Sequence, residues 1–295
     1  MGLTVQMVDV FGARPLAGNP LAVVSGDGVA ELGDAEMQRI THWFNLSETT
    51  FLLPPSHPEA DYRVRIFSPR GELPFAGHPT LGTAHAWLAA GGEPKDRDEI
   101  VQECAIGVVP IRRDASGVLS FAAPPLIRSG APSAVDLRVA CAFLGVGLAE
   151  VVDAAWIDNG PGWLGIELAS SARVLGLRPY DPGKGPLKVG AVGPHPVSNN
   201  TANAAGGDPG ENPAFEVRAF ISDGAGSLVE DPVTGSLNAA IGQWFFAKGT
   251  VTAPYVAAQG TRLGREGRVR VSADPSGQVW VGGATRSQVC GTLTR

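Results

Sequence analysis

The sequence predicts an α+β protein made of two pseudo-symmetric halves, each a curled, mixed, barrel-like β-sheet wrapped around one central helix. Three observations carry that prediction. First, the chain repeats itself. At an offset of 153, Val64, Arg65, Phe67 and Gly71 fall on Val217, Arg218, Phe220 and Gly224; Pro79, Gly82 and Ala86 then fall on Pro232, Gly235 and Ala239 without a gap. A period that long marks a duplicated domain, because solenoid units run only about 20–50 residues. Second, each half holds one helix pattern that is apolar nearly all round, at 83–90 and at 236–248. A helix with no polar face must be buried on every side. Third, 39 glycines and 24 prolines in 295 residues cut the rest into short strands and turns rather than long helices.

In chain order, strands are expected at 4–11, 21–24, 50–53 and 61–67, where apolar and polar residues alternate or short β-branched runs are bounded by turn residues. Residues 31–43 read as a surface helix, with Leu32, Ala35, Met37, Ile40 and Trp43 roughly following the helical period. The 61–67 strand leads through a glycine-containing loop to the first central helix, stopped by Gly91-Gly92. Strands at 108–112 and 119–121 follow, and Pro124-Pro125 marks the boundary between a half of 1–124 and a half of 125–284. The second half reads as a helix at 135–144, strands at 164–168 and 215–220, the second central helix, and strands at 269–273 and 279–281. Gly249 stops that helix, and Lys248 in its last turn suits the negative end of the dipole. The polar stretch 193–212 reads as a mobile loop.

Composition excludes several function classes. With 44% hydrophobic and 18% charged residues, the chain can fill packed cores and is not disordered. A net charge of −6 with no lysine or arginine block argues against nucleic-acid partners. No run approaches the roughly 18 apolar residues of a membrane span, and the N-terminus lacks the basic and apolar regions of a secretory signal. Cys104, Cys141 and Cys290 are widely spaced and form no C-x-x-C pair; such a set suits reduced thiols in a cytoplasmic protein. No G-x-S-x-G, P-loop, H-E-x-x-H or strand-borne G-x-G-x-x-G is present, and the five histidines lack metal-ligand spacing. No cofactor and no metal are expected.

The two helix entrances, 75–83 and 230–236, are the leading candidates for chemistry. N–H groups at a helix start carry partial positive charge and bind anions readily. Two such entrances facing each other across a cleft between the halves would grip a carboxylate without a cationic side chain. The offset of 153 sets His78 opposite Asp231, a titratable pair at one structural position. Asp231 before Pro232 also reads as a plain helix cap. Glu48, at the mouth of the apolar 50–53 strand, is placed for the partial desolvation that a proton-transfer group requires; a solvated strand-end glutamate reads the same way. Gly18-Asn19-Pro20 reads as a tight turn.

At these segments the chain resembles the PhzF-like phenazine biosynthesis family. Its D-x-F-x-x-x-x-x-G-N-P pattern stands here as Asp9 to Pro20, S-E-T-x-F as Ser47 to Phe51, F-A-G-H-P-T-x-G-x-A as Phe75 to Ala84 and E-D-P-x-T-G-S as Glu230 to Ser236. The resemblance implies the diaminopimelate epimerase-like fold, an active site between the halves, a last strand (about 285–295) that crosses back to the first half, and a homodimer. It implies a cofactor-free isomerase resembling trans-2,3-dihydro-3-hydroxyanthranilate isomerase, acting on a small carboxylate, a cyclic amino acid in that case. By motif match Glu48 carries the proton, His78 and Asp231 assist, and Gly77, His78, Gly235 and Ser236 contact the substrate. One departure is Leu237, where the family often has alanine; its bulk is expected to fill part of the cleft. Two other functions fit the same fold. A two-thiol amino-acid epimerase or racemase needs cysteines at the helix entrances, and none is there. A non-catalytic carboxylate-binding protein would have no use for Glu48, His78 and Asp231 together.

Overall fold

Short β-branched runs bounded by glycine and proline build a sheet in each half. In the computed structural model, which describes residues 2–181, 183–196 and 212–294, the chain divides into a unit of Met1–Ala122 with Gly282–Arg295 and a unit of Ala123–Val281. The first unit runs β1 (Leu3–Val10), β2 (Asn19–Ser25), α1 (Asp34–Phe44), β3 (Thr49–Leu53), β4 (Tyr62–Ser68), β5 (Gly71–Leu73), α2 (Gly77–Ala89), β6 (Glu99–Cys104), β7 (Gly107–Arg113) and β8 (Leu119–Ala122). The C-terminal strand, Thr285–Leu293, pairs with the free edge of β1. Across the sheet the order is C-terminal strand, β1, β2, β3, β4, β6, β7, β8, with β5 beside β6 on one edge of β4. Only β2–β3 and β4–β6 are parallel. A parallel pair needs a crossover; α1 supplies the first, and α2 lies in the second.

α2 touches β1, β2, β3, β6, β8 and the C-terminal strand, so the sheet curls around it. Nine of its residues are buried, as an all-round apolar helix requires. It starts at Gly77, six residues before the expected 83, because neither apparent breaker breaks it. Pro79 stands in the first turn, where no intrahelical acceptor awaits its missing N–H. Gly82 is a contact point, since a Cβ there would lie 2.5 Å from Leu21 Cδ2 and 3.0 Å from Val10 Cγ2. A second apolar layer of Leu3, Val24, Met37, Phe51 and Phe67 lies beneath α1. Trp43 is not part of it: the residue is 75% exposed, and the inward face is Met37, Ile40, Thr41 and Phe44.

The second unit repeats the plan with β9 (Arg128–Gly130), α3 (Ala134–Leu144), β10 (Val151–Asp158), β11 (Leu164–Leu168), α4 (Ser171–Leu175), β12 (Leu187–Pro194), β13 (Phe215–Ser222), β14 (Leu228–Asp231), α5 (Gly235–Ala247), β15 (Tyr255–Gln259), β16 (Gly267–Ala273) and β17 (Val279–Gly283). Its order is β9, β10, β11, β12, β13, β15, β16, with β14 beside β15, and among these strands in the described residues two pairs are parallel, β11–β12 and β13–β15. The protein is therefore α+β, with a curled mixed sheet around a buried helix in each unit. Of the expected loop at 193–212, Gly193 and Pro194 belong to β12, and 197–211 lie outside the described residues.

One expectation from the repeat is corrected. Ile66 pairs with Leu73 across the first hairpin, and Ala219 with Asp231 across the second, so the second hairpin is five residues longer. The offset of 153 holds in β4 and β13; beyond the hairpins it becomes 158, and the two central helices begin in step at Gly77 and Gly235. Hairpin ends are exposed and absorb such insertions. His78 therefore corresponds to Ser236, and Asp231 to Leu73. The matches of Pro79 with Pro232 and Gly82 with Gly235 are coincidental. The corrected register reveals shared buried devices. In each unit a glutamine on the strand after the central helix bonds the helix's fourth residue: Gln102 Nε2 donates to Thr80 Oγ1 (3.0 Å), and Gln259 Oε1 accepts from Asn238 Nδ2 (2.8 Å).

Candidate active site

In the first unit the site starts with Asp9, near the end of β1. Its buried carboxylate accepts the N–H groups of Gly18 (2.8 Å) and Ala17 (3.2 Å) and so pins the returning end of the β1–β2 loop. Gly18 is required for this closure, because a Cβ there would stand 2.1 Å from the Val10 carbonyl oxygen. The pinned loop delivers Asn19, wholly buried at the start of β2, to the imidazole of His78. Asn19 is thus more than a turn residue.

His78 is the second residue of α2 and only 4% exposed. Asn19 Nδ2 meets its Nδ1 at 3.3 Å. An amide NH2 can only donate, so Nδ1 is the acceptor and the ring proton sits on Nε2. That Nε2–H has no hydrogen-bond partner among the described residues, and Glu48 Oε2 stands 3.5 Å away. Burial pushes the His78 pKa down to about 3. Desolvation of the imidazolium outweighs the neighbouring carboxylate, and the pair is a neutral donor facing a carboxylate rather than an ion pair.

Glu48 reaches this position through local chain signals. Asn45, in the left-handed region at φ 53°, ends α1 and turns the chain back toward the sheet. Glu48 then immediately precedes β3, with its side chain 18% exposed. Thr83 Oγ1 donates to Thr50 Oγ1 at 2.9 Å and ties β3 to α2 beside it. The residue before α2 is Ala76, which offers no capping side chain. The first-turn N–H groups of Gly77 and His78 have no acceptor within the helix, an arrangement suited to an anion.

In the second unit Asp231 closes β14 and Gly235 and Ser236 open α5. Thr234 precedes the helix but does not cap it: its hydroxyl donates to Asp231 Oδ2 and accepts from Gln259 Nε2. Asp231 is accordingly not the cap that Asp-Pro suggested. Ser236, the counterpart of His78, is held from the loop between β10 and β11. Trp163 Nε1 donates to Ser236 Oγ at 3.1 Å, and Asn159 Nδ2 to its carbonyl at 2.9 Å. Indole is a donor only, so the serine oxygen accepts and its own proton is left for another acceptor. Leu237, expected to intrude on the substrate space, is wholly buried. Its methyls lie where a Cβ on Gly190 of β12 would stand 2.3 Å away, and the missing side chain in the sheet accommodates the larger one on the helix.

The structure thus brings Glu48, Gly77 and His78 together in the first unit, and Asp231, Gly235 and Ser236 together in the second. Sequence reasoning missed Asp9 and Asn19 as holders of His78, although both stand in the quoted motif, and it missed Asn159 and Trp163. No cysteine lies in the first turn of α2 or α5: Cys104 ends β6, Cys141 is in α3, and Cys290 is on the C-terminal strand. Among the described residues no helix is long and apolar enough to cross a membrane.

Comparison with known proteins fixes the class. The chain is 32% identical over 97% of its length to antisense-enhancing sequence 1 of Schizosaccharomyces pombe, covering 97% of that protein. It is 31% identical over 98% of its length to an uncharacterized isomerase of Pasteurella multocida, covering 93%. A trans-2,3-dihydro-3-hydroxyanthranilate isomerase of Pseudomonas aeruginosa is 46% identical over 104 residues, 35% of each chain. The crystal structure of a PhzF-family phenazine biosynthesis protein of Bacillus anthracis shares the fold over 100% of both chains, with a TM-score of 0.77 at 20% identity. Fold and relatives define an isomerase. The chain belongs to the PhzC-PhzF family of phenazine biosynthesis-like proteins, which matches residues 8–292.

Proposed function

We propose that this isomerase works without a cofactor and moves a proton on a small carboxylated substrate, with Glu48 taking the proton from one carbon and returning it to another. The observation that carries the reading is the buried, Asn19-held His78 with its unbonded Nε2 standing 3.5 Å from Glu48 Oε2. A fixed donor beside the carboxylate can hydrogen-bond to charge that develops during transfer. A positioned acid–base group of this kind contributes about 10²- to 10⁴-fold, and orientation of the substrate adds to it. In the same proposal the first-turn N–H group of Gly77 contacts the substrate carboxylate, and the motif match gives Gly235 and Ser236 as further substrate contacts and Asp231 as an assisting residue. The partial likeness to trans-2,3-dihydro-3-hydroxyanthranilate isomerases supports a cyclic amino acid as substrate. Family resemblance supports a cytoplasmic homodimer, and the three free cysteines suit a reducing compartment.

The test is deuterium uptake from D2O into small cyclic and amino carboxylates, first selected by thermal stabilisation of the protein and followed by proton NMR. Wild type is expected to exchange one carbon-bound proton, and Glu48→Gln to bind the same compound while exchange falls at least 100-fold. Exchange at the wild-type rate in Glu48→Gln removes Glu48 from the reaction. Binding without exchange in wild type would identify a carboxylate-binding protein.

A further inference from the structure

We propose that the second unit carries a separate binding site for a small anion bearing one phosphate or two carboxylates, in a cavity of about 410 Å³ whose walls include Arg178, Arg218, Arg262, Glu230 and Phe220. The duplication shows what this cavity lacks. In the first unit Arg65 of β4 forks onto Glu72 through Nε (2.7 Å) and Nη2 (2.6 Å), lies over the Phe67 ring at 5.1 Å, and gives Nη1 to the carboxylate of Asp34 at 2.8 Å. Asp34 is the first residue of α1, the crossover between β2 and β3. In the second unit Arg218 of β13 repeats the fork onto Glu230 (2.9 and 2.7 Å) and the stacking, over Phe220 at 4.7 Å. The matching crossover helix is different. α4 has five residues where α1 has eleven, and it brings no carboxylate to this arginine. Arg218 Nη1 donates instead to the carbonyls of Val174 and Leu177.

The cavity next to this second fork therefore lacks the acid that the first unit supplies covalently. Arg178 and Arg262 line it; both are exposed and enter no ion pair among the described residues. Against three guanidinium groups the walls set one carboxylate, Glu230, which leaves two positive charges without counter-charge. Guanidinium forks match the planar or tetrahedral oxygens of carboxylates and phosphates, and the volume is that of a small-molecule site. The buried Arg218–Glu230 pair, backed by the wholly buried Phe220, makes a rigid neutral floor, and the partly buried Leu228 adds an apolar wall for the body of the ligand. Glu230 and Asp231 are consecutive on an extended strand, so their side chains leave opposite faces. The cavity is distinct from the α5 entrance.

Isothermal titration of the whole chain with inorganic phosphate, and separately with succinate, tests the site at matched ionic strength held with sodium chloride. At least one of the two is expected to bind saturably, and the one that does identifies the head group. The Arg178→Ala/Arg262→Ala double variant, whose replaced side chains are exposed, is expected to keep the wild-type circular dichroism spectrum and weaken binding at least tenfold. Ser236→Ala is expected to leave it unchanged. Binding of neither anion overturns the proposal, as does binding that survives the double variant or that is lost in Ser236→Ala.

Discussion

Replacing His78 with glutamine separates the buried neutral imidazole from every other titrating group in the protein. In the unfolded chain a histidine titrates near 6.5, whereas burial holds His78 at about 3. Between those values the unfolded chain binds a proton that the folded chain does not, so folding stability rises with pH across that window. The contribution is fully present above about pH 6.5 and is lost at about 1.4 kcal/mol per unit as pH falls toward 3. At about pH 4.5 the loss amounts to about 3 kcal/mol. Glutamine cannot titrate, so a His78→Gln variant lacks this slope, while other acidic groups titrate alike in both proteins. Urea unfolding of both proteins at about pH 7 and about pH 4.5 is the assay. The wild-type advantage is expected to shrink by about 3 kcal/mol over that interval. In parallel, the His78 ring nitrogens should hold one set of NMR shifts down to about pH 4.5, with Nδ1 unprotonated. Stability curves that stay parallel, or a ring that gains its second proton near pH 6, would refute the argument and with it the neutral donor facing Glu48.

Two further substitutions probe how the site and the core are held. Trp163→Phe removes the donor to Ser236 Oγ and lets the serine hydroxyl turn; KM is expected to rise about fivefold with kcat within about threefold, the loss of one hydrogen bond of about 1 kcal/mol, and an unchanged KM would deny Trp163 that role. Gly82→Ala gains about 1 kcal/mol of helix propensity but drives a methyl to 2.5 Å from the fully buried Leu21. Overpacking of about 1–3 kcal/mol outweighs the gain, and urea midpoints should show net destabilisation.

Much of this architecture was legible in the residues. Alternation located most strands, and the two helices without a polar face announced that each sheet must curl around one of them. Failures have physical causes. The short strands β5, β9 and β14 have little periodicity to read, and β6, β10, β12 and β15 were passed over. Pro79 and Gly82 hid the first turn and a half of α2, because breakers are harmless in a first turn and a glycine can serve contact rather than flexibility. Trp43 followed the helical period loosely and faces outward. The longer second hairpin was invisible because chance matches, Pro79 with Pro232 and Gly82 with Gly235, carry the offset of 153 past it. At the site, Glu48 and His78 could be named from motifs, but Asn19, Asn159 and Trp163 act by direction of hydrogen bonding. Only a fold that places residue 163 against residue 236 reveals that.

The C-terminal strand pairs along the whole of β1, from Leu3 with Leu293 to Val10 with Thr285. Its residues emerge from the ribosome after the entire second unit. β1 therefore keeps an open edge until that strand is made, and the second unit has its own strands in hand before the first can close. An exposed edge of this kind is a template for stray pairing with another chain, so translation stalled or clipped before residue 285 should yield aggregation-prone product even though most of the first unit's residues have already been made.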